Sequence, residues 1–145
     1  MNPLQRLLIA TITLLSLTGW AEQSDVEGRW LSGDGDGWIE VRLVGDSLVG
    51  VIAGSPNNKD GDPPRYDDLN PDPDLRNRPL DGMAIMNGFT YSGDGRWTGG
   101  TIYDPNSGKT YKCTVTQIDG NTLKVRGYIG FSMFGRSDTW TRDSK

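Results

Sequence analysis

Residues 38–44 read WIEVRLV, and their alternation decides the fold. Successive side chains of an extended strand point to opposite faces, so Ile39, Val41 and Leu43 share one side and Trp38, Glu40 and Arg42 the other. One face is apolar and the other charged, the pattern of a strand half buried against a core. The same split recurs in YKCTVTQI, where Tyr111, Cys113 and Val115 oppose Lys112, Thr114 and Thr116. In NTLKVRGYIG, Leu123, Val125, Gly127 and Ile129 oppose Lys124, Arg126 and Tyr128.

Outward from these stretches, runs of β-branched and aromatic residues are cut about every ten positions by Gly, Asp and Asn, an all-β signature. Strands are predicted near 27–32, 37–44, 47–53, 82–90, 95–103, 109–118, 121–130 and 136–142. Gly45-Asp46, Asp119-Gly120 and DPNSG at Asp104–Gly108 are tight-turn sequences that make neighbours antiparallel. Six of the eight prolines (Pro56, Pro63, Pro64, Pro71, Pro73, Pro79) crowd one connection, and the strands are left free of them. No helical periodicity appears beyond room for one short turn around Asp72 to Asn77. Eight short antiparallel strands suit a single closed barrel. A membrane-spanning barrel needs an apolar outer band, whereas the polar face here is rich in Lys, Arg, Glu and Thr, so a soluble barrel is expected.

The N-terminus has a different character. MNPLQR carries a positive charge and LLIATITLLSLTGW follows as an apolar run too short for a membrane span, the make-up of a secretory signal peptide. Small residues at Gly19 and Ala21 place cleavage after Ala21, giving a signal peptide over 1–21 and one barrel domain over 22–145. The product is expected to be exported, periplasmic or secreted. The chain's net charge is −4, and loss of Arg6 makes the mature domain more acidic still. With no basic block, nucleic acid is not a partner, and no membrane insertion of the mature domain is expected.

Catalytic signals are sparse. There is no histidine, which removes Ser-His-Asp and Cys-His chemistry and the commonest zinc and copper ligands. The single cysteine, Cys113, cannot form an intrachain disulfide and lies on an apolar face, as an inert core residue does. SGKT at Ser107–Thr110 ends like a phosphate-binding loop, but Tyr103 stands where that motif needs Gly. The acidic connection carries Asp60, Asp62, Asp67, Asp68, Asp72, Asp74 and Asp81 among Lys59, Arg65, Arg76 and Arg78. Asn58, Asp60 and Asp62 have alternating ligand spacing without the Gly and closing Glu of a calcium loop, so no metal is assigned. Glu40, the best strand-borne acid, shares its face with Arg42 and reads as half of a solvated pair. No catalytic residue and no cofactor are assigned.

The connection itself, ending in NPDPDLRNRPLDGM (70–83), is expected to be ordered. Prolines lower its entropy, Leu75 and Leu80 can dock, and Arg76 or Arg78 can bond a carboxylate or loop carbonyls. With Asn70 and Asp72 these residues form a candidate lid.

Several blocks together resemble a known family: Gly28-Arg29-Trp30, DGWIEV, NPDPDLRNRPLDGM, WTGGTIYDPNSGKTYKC, LKVRGYIG and FGRSDTWTR. On these the chain is identified as a member of domain-of-unknown-function family 2147, small exported bacterial proteins, with Asp81 where the pattern has an apolar residue. The resemblance implies a lipocalin-like (calycin) eight-stranded barrel and no established activity or cofactor. Gly28 and Trp30 are similar to the first-strand lipocalin signature, whose indole plugs the closed barrel end beneath an arginine of the last strand. Arg142 matches that arginine, and Trp140 lies beside it on the closing strand.

The leading expectation is a non-enzymatic protein whose lumen takes a small, largely apolar molecule, lined by Ile39, Val41, Val51, Tyr111, Val115, Val125 and Ile129. The alternative is a filled barrel that recognises an envelope protein or polysaccharide through exposed Trp38, Tyr66, Phe89, Phe131 and Phe134. An enzyme working through Glu40 or the loop aspartates ranks third.

Overall fold

Strand follows strand around the barrel in chain order: β1 (Gly28–Leu31), β2 (Trp38–Val44), β3 (Ser47–Gly54), β4 (Ala84–Gly93), β5 (Arg96–Asp104), β6 (Lys109–Asp119), β7 (Thr122–Tyr128) and β8 (Gly135–Arg142). The computed structural model describes residues 23–144, so the expected signal peptide lies outside the described residues. Every neighbouring pair is antiparallel, and β8 returns to β1 with Trp30 opposite Arg142 and Leu31 opposite Thr141. Closure removes the open edges that would otherwise template aggregation. The expected strands agree to within a few residues at each end, and the short turn expected near Asp72 is a 3-10 turn at Pro73–Leu75.

Alternation explains the interior. Ile39 and Val41 of β2, Leu48 and Ile52 of β3, Val115 of β6 and Leu123 and Val125 of β7 are all buried, while Arg42, Lys112 and Lys124 are exposed outside. Phe89 departs from expectation. Gly88 and Gly99 take φ of 79° and 75° on the paired strands β4 and β5, a left-handed conformation that suits glycine. The local break in pairing turns the Phe89 ring inward onto Gly100, where a Cβ would come 2.4 Å from it. Phe89 is therefore a core residue and not an exposed aromatic. Trp38 is also unavailable as a free surface ring, since the Arg29 guanidinium stacks 4.7 Å above it.

The two ends of the barrel differ. At one end lie the short turns after β2, β4 and β6 and a 3-10 turn at Gln23–Val26. Here the Arg142 guanidinium lies 4.2 Å over the Trp30 indole, whose Nε1 donates to Val26 O at 3.0 Å. Arg142 also donates to the carbonyls of Gly120 (2.6 Å), Glu27 (2.7 Å) and Asp25. Gly28 makes room for it, because a Cβ there would lie 2.5 Å from Arg142 Nη1. This end is plugged. At the opposite end sit all the other connections, residues 32–37, 55–83, 105–108 and 129–134.

Candidate ligand cavity

The core does not fill the barrel. Trp30, Leu48, Met86, Phe89, Trp97, Val115 and Leu123 pack the plugged half, and toward the other end the lumen widens into a cavity of about 610 Å³ that opens among the four connections. That volume lies within the range of small-molecule sites, about 300–1,000 Å³. Its deep wall is Ile39, Ile52, Ile85, Ile102 and Trp140, and Tyr103, Tyr111 and Tyr128 bring phenol rings nearer the mouth. Gly127 leaves space opposite Tyr111, since a Cβ there would lie 3.4 Å from Tyr111 Cβ and 4.0 Å from Ile102 Cγ2.

The lumen residues expected from sequence divide into three groups. Ile39 and Tyr111 line the cavity, and Ile129 does so at the mouth, because β7 ends at Tyr128 and leaves Ile129 in the loop beyond it. Val41, Val115 and Val125 point inward but belong to the packed core below the cavity and do not line it. Val51 is a correction: the inward parity of β3 runs through Leu48, Gly50 and Ile52, so Val51 turns to the outer side and Ile52 takes its place. The stretch LVGVIAG is apolar at both parities, which hides the choice. Trp140, expected as a structural residue of the seam, also contributes to the cavity wall and donates from Nε1 to Asp138 at 2.8 Å.

The long connection closes one side of the mouth. Asp67, with 0% of its surface exposed, accepts from Tyr103 Oη (2.5 Å), Asn70 Nδ2 (2.8 Å) and Arg78 Nη2 (2.9 Å), and its own N–H donates to Arg78 O at 2.9 Å. Burial pushes the Asp67 carboxyl up, but the three hydrogen bonds and the Arg78 charge together hold it below its ordinary value. Burial likewise raises the Tyr103 phenol to about 12, helped by its bond to the Asp67 carboxylate. Arg76 donates from Nε to Asn70 O at 2.8 Å, and Asp72 caps the 3-10 turn by accepting from Asp74 N at 3.0 Å. Arg76 and Arg78 are thus both bonded, one to a carbonyl and one to a carboxylate. Of the two leucines, Leu80 is buried and lines the cavity, whereas Leu75 stays exposed and does not dock.

Sequence reasoning missed Asp67 and Tyr103 as the tie between loop and barrel, since nothing distinguishes Asp67 from six other loop aspartates. It also missed Arg65, which lines the cavity, has a buried Nε without a hydrogen-bond partner and reaches exposed Asp81 at 3.5 Å. The rim aspartates are already bonded: Asp34 accepts from Ser32 and Asp104 from Ser107 within their own loops, while Asp36 accepts from Asn57 and Asn106 and Asp138 from Gly33 N across neighbouring segments. Among the described residues no three acids or cysteines converge as a metal site would require. Glu40 and Arg42 share the outer face as expected, but no ion pair within 4 Å joins them among the described residues. Burial drives the Cys113 thiol up to about 12, far from a reactive thiolate.

Comparison with known proteins places this architecture. Residues 28–142, from the glycine beneath Arg142 to Arg142 itself, match the family described as an uncharacterized protein conserved in bacteria (DUF2147). The chain belongs to the DUF2147 family. A solved structure, protein HP1028 from the human pathogen Helicobacter pylori, is described as belonging to the lipocalin family. It is similar with a TM-score of 0.74 and 24% identity, over 82% of this chain and 83% of that one. At that identity the likeness shows the fold, and the DUF2147 barrel described here is a lipocalin-like barrel. No curated protein matches the chain.

Proposed function

We propose that this DUF2147 protein is an exported, non-enzymatic binding protein that holds a small, largely apolar molecule in the open half of its barrel. The observation that carries the reading is the cavity of about 610 Å³, walled by isoleucines and Trp140 and open at one end only. Such a cavity stabilises an apolar guest by removing its surface from water, about 25 cal/mol per Å². The polar end of the guest faces the tyrosines and Arg65 at the mouth. Binding rather than catalysis is supported by the absence of histidine and by rim aspartates already bonded into loop turns. The open half favours this reading over a filled barrel that recognises an envelope protein or polysaccharide, and of the five aromatics that alternative would use, Phe89 is inside and Trp38 lies under Arg29, while Tyr66, Phe131 and Phe134 are exposed.

The test is to fill the cavity. Gly127 lies in a strand at ordinary φ and its side chain would project toward Tyr111 and Ile102, so Gly127→Leu occupies the lumen without disturbing the plugged end. The uncharged naphthylamine probe N-phenyl-1-naphthylamine should bind the native protein and brighten, with Gly127→Leu weakening it about tenfold or more. Native mass spectrometry and probe titration that both show no guest in the native protein would refute the reading.

A further inference from the structure

Among the described residues, the connection from β7 to β8 is the most apolar exposed feature. It reads IGFSMF over residues 129–134, and Ile129, Phe131, Met133 and Phe134 are 64%, 75%, 76% and 72% exposed. Four large apolar side chains in six residues have no packing role that would keep them, and such a patch marks an interaction surface. Its position is specific. Ile129 and Phe134 also line the cavity, so the patch is one lip of the mouth, while Phe131 and Met133 project from the lip without lining it.

We propose that this loop inserts into a lipid bilayer surface and sets the barrel's mouth against it. The inference rests on the binding function above for its purpose, since an apolar guest is concentrated in a membrane and could enter past Ile129 and Phe134 on this lip of the mouth. Two features favour a bilayer over a protein. A stable protein interface draws on roughly 20–30 residues a side, far more than one six-residue tip supplies, whereas insertion into lipid needs no complementary surface. At the base of the tip stands exposed Arg136, which has no ion-pair partner among the described residues and is placed to meet lipid phosphates as interfacial arginines do. The acidic balance of the chain means that the apolar tip, not charge, carries the attachment.

Full-chain protein is mixed with vesicles of phosphatidylcholine and phosphatidylglycerol, and the sedimented fraction is compared with that of F131S/M133S. Both chains carry the same N-terminal segment, so the difference reads the loop alone. Each exposed apolar side chain contributes about tenfold when buried in lipid, so the double variant should partition roughly a hundredfold more weakly. Its N-phenyl-1-naphthylamine affinity, measured without vesicles, should stay that of the native protein. A native protein that ignores vesicles, or a double variant that binds them equally, overturns the proposal. A native dimer that dissociates on F131S/M133S and shows no vesicle binding overturns it in favour of a second copy. As a separate reading, Met133→Cys labelled with an environment-sensitive nitrobenzoxadiazole, with buried Cys113 unreactive, should brighten and shift to the blue on vesicle addition. An unchanged spectrum also refutes insertion. Absence of probe binding in every chain would refute the lumen function while leaving the vesicle result to decide docking by itself.

Discussion

Asp67 is where the chemistry of single residues matters most. A fully buried carboxylate is costly unless its lone pairs are met, and here Tyr103, Asn70 and Arg78 meet them. Asp67→Ala leaves those donors without their acceptor and is expected to cost about 2 to 3 kcal/mol in urea unfolding. Arg78→Ala is expected to cost only about 1 kcal/mol, because its side chain is 41% exposed and two donors remain on Asp67. The pair also sets a pH dependence. Asp67 titrates lower when folded, so its contribution is complete above its ordinary value of 3.8 and is lost as pH falls below it. Tyr103 titrates higher when folded, about 12 against 10, so its contribution is complete below pH 10 and lost between 10 and 12. Cys113, raised from 9 to about 12, acts in the same direction. The melting temperature of Tyr103→Phe should therefore fall less steeply than that of the native protein above pH 10, with the Cys113 part retained. Parallel profiles would contradict the tie between loop and barrel.

Among the elements, the plugged end and the long connection are held by different means. At the plug one guanidinium stacks on Trp30 and bonds three carbonyls from two segments, a task for a planar fork that an ammonium cannot copy. Arg142→Lys is expected to lower stability by about 1 to 3 kcal/mol, read from the urea midpoint. That role was legible only through the likeness of Gly28, Trp30 and Arg142 to the lipocalin signature, since no local spacing brings the first and last strands together. The connection was legible only in part. Prolines and paired charges announce an ordered loop, and the amides of Asp67, Asn70, Arg78 and Leu80 do bond backbone carbonyls. Which aspartate is buried depends on the reach of Tyr103 from β5, a contact 36 residues away that no local pattern encodes. In hydrogen exchange, residues 67–83 should be slower than 56–64, where every residue is exposed and the bonded amides reach only acceptors within three residues. Equal, rapid exchange across both would show a loose linker.

For the whole molecule, alternation in β2, β6 and β7, with turn sequences between eight short apolar runs, was enough to read an eight-stranded barrel. It could not reveal how full the barrel is. Val51 and Ile52 are equally apolar neighbours, and only the register of β3 against β2 and β4 decides which one enters the lumen. Volume is a sum over facing strands, and here a glycine on β7 opposite Tyr111 on β6 leaves the space. The result is a barrel plugged by Trp30 and Arg142 at one end and hollow at the other, with an apolar lip beside the opening. The proposed function requires the hollow half to hold a guest. It is tested most directly by titrating N-phenyl-1-naphthylamine into the native protein and into Gly127→Leu at matched fold stability. Saturable binding to the native protein and a loss of about tenfold or more in the variant are expected; equal affinity in both, or none in the native protein, would refute a guest in the lumen.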